Sequence, residues 1–287
     1  MLHPALRLRA LRALTFRLGA VLALAVVSAC AAPPGATDLS LPDSLPTRAS
    51  VADVPLIVQD AYYCGPAALA MALGAAGIAV GQEEVAALAF TPGAQGSFQS
   101  DMTGAARRLG ALAVPVGDLP TLFGEVAAGR PVIVFQNLGL PFAPVWHYGV
   151  VTGYDRAEGT VTLHSGEREV MVMPFEAFRL SWARGEDWGL LALAPGDLPA
   201  AVPSEDVLAA AAALEGAERF AEAEAAYRAG MARWPGEWLW PFGLANALYA
   251  QGDLAGARAA LLEARRRGPE IPEVRANLDF VTAELNG

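Results

Sequence analysis

The sequence predicts an α+β domain followed by an all-α domain. Between residues 53 and 195, helical patterns come first, and short apolar strands separated by turns follow. After Pro203 the composition changes to mostly Ala, Glu, Leu and Arg, and a pattern of small and apolar residues recurs after 34 residues. With 287 residues, of which 54% are hydrophobic, the chain is long enough to bury a core in each domain.

The elements of the first domain follow from the spacing of its apolar residues and from the residues that start and end helices. Gly77 and Gly129 end two helices, and Ser100 and Asp101 cap another. The predicted order is a strand at 54–58, helices at 67–76, 82–90 and 100–109, a strand at 112–116, a helix at 118–128, strands at 132–135, 146–154, 160–165 and 167–173, a helix at 175–183 and a strand at 188–193.

A cysteine lies where a polar loop turns into an apolar, alanine-rich helix, in Gln59-Asp-Ala-Tyr-Tyr-Cys64-Gly65-Pro66. The free N–H groups and the dipole of a helix N-terminus favour a thiolate, the form of cysteine that attacks carbonyl carbon. Gly65 keeps side-chain atoms out of the way of a substrate. The Gln59 amide and the Cys64 N–H can together bind an oxyanion. The segment therefore predicts an acyl-transfer site, although a lone cysteine in such a helix can also be a small buried hydrophobe.

The chain offers few bases for this cysteine, because its only histidines are His3, His147 and His164. His3 falls in a predicted leader. His147 follows a proline-containing loop and begins a strand-like run, so we predict that it is the general base.

The group that orients His147 is less clear from the sequence. Asp155 is eight residues further along the same strand, roughly 26 Å away and too far to hold the ring. On the next strand, His164 shares the face of His147 if the turn has four residues, whereas a slip of one residue puts Ser165 there. Without a carboxylate the imidazolium is less stabilised, so slow or absent catalysis is an open alternative.

These residues resemble a known group, the papain-like cysteine peptidases related to the bacteriocin-leader (double-glycine) peptidases. The resemblance spans 54–194 and rests on Gln59, Cys64-Gly65-Pro66 and His147-Tyr-Gly-Val-Val-Thr-Gly-Tyr-Asp. It implies a papain-like helix-plus-antiparallel-sheet fold, with Cys64 as nucleophile, His147 as base and Gln59 as oxyanion donor.

The match departs from the family pattern at one position. The family usually has an Asp-Pro pair at the end of the next strand, where this chain has Leu163-His164-Ser165-Gly166. By its spacing from His147, Ser165 lies at the position where the family usually has this Asp. Nothing in the sequence resembles the transporter domains to which double-glycine peptidases are usually joined, so double-glycine cleavage is not expected here.

The second domain, predicted at 204–287 after a linker at 196–203, resembles tetratricopeptide repeats. Its two repeats and a capping helix would recruit a protein partner or substrate. Trp234, Trp238 and Trp240 are either a peptide-binding patch or packing at the junction between repeats. The residues that recur are Ala211, Leu214, Phe220, Ala223, Tyr227, Gly230 and Pro235, matched by Ala245, Leu248, Leu254, Ala257, Leu261, Ala264 and Pro269.

Residues 1–29 read as an export signal, with an Arg-rich start and an apolar run at 18–27. The run ends in Val27-Ser28-Ala29-Cys30, which resembles a lipobox and implies that Cys30 is lipidated. The alternative is a retained single-pass anchor. A flexible tether at 30–52 would follow. We therefore expect a periplasmic lipoprotein, with Ala31 favouring the outer membrane by resemblance to sorting rules, in which Cys64 has no disulfide partner.

Charge limits the classes of partner. All 20 basic residues are Arg, and four of them precede Cys30, which leaves 16 against 30 acidic residues in the body. This excess of acid argues against nucleic acid and against anionic lipid surfaces, so that contact with the membrane is expected through the lipid only. The sequence predicts neither a cofactor nor a metal. Three functions remain open: a cysteine peptidase, an acyl transferase or amidase with the same nucleophile, and an inactive scaffold that binds proteins through its repeats.

Overall fold

The computed structural model describes residues 41–166, 168–268 and 270–286, which belong to one compact unit, Leu39–Gly287. The predicted signal sequence, Cys30 and the first part of the tether lie outside the described residues. Within the described ranges, no helix is both long and apolar enough to cross a bilayer.

An antiparallel sheet forms the centre of the first domain and confirms the predicted α+β class. Its strand order is β2-β7-β3-β4-β5-β6, and β1 pairs with the end of β4. The strands are β1 (Arg48–Ser50), β2 (Leu112–Val116), β3 (Val132–Asn137), β4 (Trp146–Asp155), β5 (Thr160–Ser165), β6 (Arg168–Pro174) and β7 (Gly189–Leu193).

Helices cover both faces of this sheet. The helices are α1 (Cys64–Ala75), α2 (Gln82–Ala89), α3 (Gln99–Arg108), α4 (Leu119–Ala127) and α5 (Phe175–Ala183). The first three pack on one face through a core that includes Leu69, Met102, Ile133 and Tyr148. The other two pack on the opposite face. Because strand side chains alternate between faces, neighbouring residues of β4 belong to different cores.

The helical domain shares its core with the sheet. Its helices are α6 (Ser204–Glu215), α7 (Phe220–Arg233), α8 (Leu239–Ala250), α9 (Leu254–Arg267) and α10 (Pro272–Asn286), arranged as two helical pairs and a final helix. One buried cluster runs from the sheet through Leu198 and Val202 into these helices. The Arg233 guanidinium donates to the carbonyls of Pro199 and Ala200. The segment at 196–203, predicted as a linker, is therefore packed between the two domains.

Small residues allow the paired helices to cross closely, as the repeat pattern predicts. A side chain at Gly230 would collide with the Trp240 ring, and one at Gly243 would collide with the Tyr227 ring. Trp240 is fully buried and stacks on Trp234 with ring centroids 5.0 Å apart. Trp240 and Trp234 thus pack within the repeats instead of forming an exposed patch.

Two predictions about the start of the domain are wrong. The segment predicted as a flexible tether contains β1, which is fixed because Arg48 Nε donates to Asp155 at 2.7 Å and Val51 N donates to Thr152 at 2.7 Å. The segment at 54–58 forms no strand. Pro55 in this segment lacks an N–H for a ladder and packs against Gly74 of α1.

Candidate active site

Cys64 is the first residue of α1, directly after a tight turn. Tyr63 N donates to the Asp60 carbonyl at 3.0 Å, and Tyr62 adopts a positive φ of 67°, so the chain enters the helix sharply. Backbone N–H groups of Tyr148, Gly65 and Cys64 itself hydrogen-bond to the sulfur. The helix N-terminus therefore points at the sulfur, as the sequence predicts.

The charge state of the sulfur differs from the predicted thiolate. Burial raises the pKa of the Cys64 thiol above its ordinary value, and the three backbone N–H groups offset only part of this effect. The prediction failed because it considered the helix N-terminus alone. Desolvation by the packed surroundings is the larger influence on this group, so Cys64 rests as a thiol.

His147 lies near the start of β4, opposite Gln136 of β3. Its Nε2 is 2.8 Å from Ser165 Oγ on β5. His164, the other residue considered from the sequence, pairs with Val150 and lies on the opposite face of β5 from Ser165. Of the two residues, Ser165 is therefore the one that contacts the His147 ring.

Cys64 and the His147 side chain belong to different faces of the sheet. Helix α1 packs on the face of Tyr148, whereas the His147 side chain shares the opposite face with Gln136 and Ser165. The Tyr148 N–H that binds the sulfur belongs to the peptide bond between His147 and Tyr148, so the sulfur lies beside the His147 backbone. Among the hydrogen bonds of the described residues, none joins the sulfur to the imidazole.

The ring nitrogen left for the sulfur is Nδ1. Ser165 occupies Nε2, and Nδ1 is the nitrogen nearer the His147 backbone, where the sulfur lies. If Nε2 carries the proton and donates it to Ser165 Oγ, then Nδ1 is free to accept the thiol proton. Such contacts are often long in a free enzyme and shorten when substrate binds.

Burial also lowers the pKa of His147, so the ring is neutral near pH 7. A hydroxyl contributes no charge that would favour the imidazolium, and no carboxylate of a described residue hydrogen-bonds to the ring. Asp155 lies at the far end of β4, where it accepts from Ala157 N and Glu158 N and pairs with Arg48. The resting pair is thus a neutral thiol and a neutral imidazole.

Gln59 is half buried in the loop before α1, and its side chain makes no hydrogen bond with any described residue. The side chain of Gln82, on α2, forms hydrogen bonds with the residues on both sides of Gln59. Its side-chain amide donates to Val58 O at 3.3 Å and to Asp60 Oδ2 at 3.0 Å, and its carbonyl accepts from Asp60 N at 3.4 Å. The oxyanion role of Gln59 stays a prediction, and Gln82 is the residue that fixes the segment carrying it.

A second loop, at 91–99, encloses the nucleophile and was not singled out from the sequence. The Tyr148 hydroxyl donates to the Ser97 carbonyl at 3.0 Å. A side chain at Gly65 would lie 3.0 Å from Ser97 Cβ, so Gly65 lets this loop pack against α1 and does not face the substrate as expected. The sequence held one signal for this contact, Tyr148 directly after His147. The hydroxyl of a tyrosine on a buried strand needs a hydrogen-bond partner.

Two parts of the chain match protein-family models. Residues 51–187 match the model of the Peptidase C39 like family, and residues 214–278 match a tetratricopeptide-repeat model. No curated protein matches the chain.

Three crystal structures are similar to the first domain. A C39-like peptidase from Bacillus anthracis is 20% identical with a TM-score of 0.42, over 51% of this chain and 97% of that chain. The peptidase domain of Streptococcus ComA, a bifunctional ABC transporter involved in quorum sensing, is 26% identical with a TM-score of 0.42, over 49% and 99%. A double-glycine-motif protease from an AMS/PCAT transporter, in complex with the leader peptide, is 22% identical with a TM-score of 0.38, over 50% and 94%.

The two family matches cover most of each described domain, and residues 188–213 lie between them. The first match contains the predicted nucleophile and base and the serine that contacts that base, and the second contains most of the helical pairs. Residues 51–187 are therefore similar to the Peptidase C39 like family and have an α+β fold, and residues 214–278 are similar to tetratricopeptide repeats and are helical.

Proposed function

We propose that this protein is an envelope-anchored cysteine peptidase that hydrolyses peptide bonds with Cys64 as nucleophile and His147 as base. The observation that carries the proposal is the position of the Cys64 sulfur on the Tyr148 N–H, beside a histidine whose Nε2 is held by Ser165. The C39-like family match supports the hydrolase class.

The first half of the reaction starts from the neutral pair. His147 Nδ1 takes the thiol proton as Sγ attacks the peptide carbonyl carbon, so that a C–S bond forms and the carbonyl oxygen becomes an oxyanion. The Cys64 N–H and the Gln59 amide stabilise this oxygen. The C–N bond then breaks, the imidazolium gives its proton to the departing amine, and the acyl group remains as a thioester.

The second half releases the acid. His147 takes a proton from a water molecule, and the resulting hydroxide adds to the thioester carbonyl. The C–S bond breaks as the tetrahedral intermediate collapses. Cys64 leaves as a thiolate and recovers its proton from His147. Ser165 keeps Nε2 of the ring engaged throughout, which leaves Nδ1 as the nitrogen that exchanges the proton with the sulfur.

One set of observations favours a second candidate, a scaffold with weak or no activity. His147 has a hydroxyl partner where the related peptidases have an acid, and burial raises the pKa of Cys64 and lowers that of His147. Both pKa shifts disfavour a preformed thiolate–imidazolium pair. In this candidate the protein acts by binding partners through its tetratricopeptide repeats.

Incubating the wild-type protein with a peptide library and a primary amine, followed by mass spectrometry, separates the candidates. A hydrolase gives new carboxyl termini, an acyl transferase gives amine-capped products, and a scaffold gives neither. Activity should disappear in Cys64→Ala and fall at least about a hundredfold in His147→Ala. Unchanged products in Cys64→Ala would rule out this nucleophile.

We propose that partners bind in a groove between α8 and α10, lined by Asn246, Tyr249, Asn277 and Phe280. Phe280 is 54% exposed there, and exposed aromatic side chains are frequent anchors for protein partners. A double variant, Tyr249→Ala with Phe280→Ala, should slow cleavage of a protein substrate and leave cleavage of short peptides unchanged. Equal slowing of both would contradict recruitment by the repeats.

The lipid anchor at Cys30 is likewise a proposal. Residues 48–50 pair with the end of β4 at Asp155, which is roughly 26 Å along the strand from His147. Lipidation predicts a mass shift on Cys30 and a membrane fraction that Cys30→Ala releases. An unmodified Cys30 would contradict the anchor.

A further inference from the structure

Cys64 lines a cavity of about 400 Å³, the size of a site for a small ligand or a few residues of a peptide. The cavity is bounded by β3 and β4 on one side and by residues 94–99 on the other, and residues 184–186 lie at its rim. An acyl group that binds in this space lies next to the sulfur. Its walls therefore decide which residue can lie next to the bond that is attacked.

Three aromatic rings form the strand side of the cavity. Phe135 and Trp146 are stacked, with centroids 5.1 Å apart and planes 11° apart, and Phe135 contacts Tyr148 at 4.7 Å. Trp188 packs against the edge of Tyr148 at 5.7 Å. Trp146 is nevertheless 50% exposed, so part of its ring remains available for contact with another molecule.

The opposite wall is fixed in place. The hydrogen bond from Tyr148 to the Ser97 carbonyl ties residues 91–99 to β4, and Thr91 N donates to Gly96 O at 2.8 Å within this loop. Phe98 of the same loop is 52% exposed and also lines the cavity. A preformed site with aromatic groups on both sides gains binding energy when it encloses an apolar group.

Charge does not select the residue at this position. The rim carries one cation and one anion, Arg184 and Glu186. Arg184 Nη1 donates to the Gly139 carbonyl at 3.0 Å, which holds it over the neighbouring loop. Opposite charges at one rim favour neither an acidic nor a basic substrate residue, so the aromatic surface is left as the selective feature.

We propose that the cavity beside Cys64 is a subsite for a large apolar side chain, such as Phe, Leu or Met, of the substrate residue adjoining the scissile bond. The cleavage that this implies rests on the proposed function. Glycine at this position would leave the exposed face of Trp146 in water and most of the cavity unfilled. A large apolar side chain should therefore bind about 10- to 100-fold more tightly than glycine.

Binding is tested in full-length Cys64→Ala protein, which holds peptides without cleaving them. Calorimetry with peptides that differ at one central residue should give dissociation constants in the order Phe, Leu or Met tighter than Gly or Asp. Adding Trp146→Ala should weaken the Phe peptide about tenfold or more and leave the Gly peptide unchanged, whereas Trp146→Phe should restore most of the affinity. Val170→Ala, an exposed apolar change on β6, is the matched control and should have no effect.

Cleavage by the wild-type protein separates this inference from the proposed function. Large apolar residues concentrated next to the cleaved bonds support both. Cleavage without that preference overturns the subsite and leaves the peptidase standing. Selective binding without cleavage supports the subsite and overturns the peptidase. Equal affinities for the Phe and Gly peptides, or an unchanged affinity in Trp146→Ala, overturn the subsite.

Discussion

Ser165 Oγ lies 2.8 Å from Nε2 of His147, on the strand that follows the histidine in the sheet. This contact engages one nitrogen of the imidazole and leaves the other for the sulfur of Cys64. Among the described residues, the partner of Nε2 is this hydroxyl, which orients the ring but cannot offset the positive charge of an imidazolium.

The role of Ser165 can be tested by removing its hydroxyl and by replacing the hydroxyl with a carboxylate. Ser165→Ala removes a hydrogen bond worth about 1 kcal/mol, so kcat/KM should fall about fivefold. Ser165→Asp supplies a carboxylate that stabilises the imidazolium, so kcat near pH 7 should rise severalfold. Nitrogen chemical shifts of His147 should show a change of tautomer population in Ser165→Ala. Ser100→Ala, an exposed serine on α3, is the control. Wild-type kinetics and shifts in both Ser165 variants would show that the contact has no role.

The pH dependence of alkylation reports the ionisation of Cys64. Burial raises its thiol pKa, so the thiolate fraction at neutral pH is low and should grow as pH rises. In Cys30→Ala protein, where Cys64 is the remaining thiol, the rate with iodoacetamide should climb about tenfold per pH unit up to at least pH ~8.5. A plateau already reached below pH 7 would instead indicate a preformed ion pair.

Gln59 has a role that kinetics can assign. If its amide binds the oxyanion, Gln59→Ala should lower kcat about 10²- to 10³-fold with little change in KM, because the contact forms only in the transition state. Gln82→Ala should give a smaller loss, since it frees the segment that carries Gln59. Gln251→Ala, in the helical domain, is the control. A change in KM alone for Gln59→Ala would point to substrate binding instead.

Glu125 joins the first domain to the segment at 196–203 that leads into the helical domain, and its loss should destabilise both domains together. Its fully buried carboxylate accepts from Ala201 N at 2.6 Å and lies 3.7 Å from Arg130. Arg130 keeps its ion pair with Asp197, so Glu125→Ala mainly leaves the Ala201 N–H without its partner, and the free energy of unfolding should fall by about 1–3 kcal/mol.

Thermal unfolding followed by circular dichroism measures this loss. The shared core predicts one cooperative transition that moves to lower temperature as a whole. Glu176→Ala, at an exposed ion pair with Arg179, is the control and should leave the transition where it is in the wild-type protein. Two separate transitions in the wild-type protein would contradict a continuous core.

Local patterns in the sequence predicted most of the elements that hold the site. The strand at Leu112–Val116 and the helix at Phe175–Ala183 agree with the predicted bounds, because period and turn residues are local signals. β1 was not predicted, because a contact distant in sequence fixes it and no local pattern marks it. Its three residues have no period of their own and are fixed by Asp155, more than a hundred residues later.

The site shows the same division between local and tertiary information. Helix position and spacing predicted Cys64 as nucleophile and His147 as base, and strand spacing reduced the orienting group to His164 or Ser165. The direction of the Cys64 pKa shift could not be predicted, since it depends on how deeply the tertiary packing buries the sulfur. Tyr148 signalled that its hydroxyl needs a partner, but the sequence could not identify the Ser97 carbonyl as that partner, because the strand and the loop share no pattern.

Trapping the acyl-enzyme tests the central claim most directly. A peptide cleaved by the wild-type protein is mixed with it, quenched in acid within one turnover and examined by mass spectrometry. Catalysis by Cys64 predicts an added acyl mass on Cys64 that hydroxylamine removes, and neither adduct nor cleavage in Cys64→Ala. Cleavage that persists in Cys64→Ala, with no adduct on the wild-type sulfur, would contradict the account.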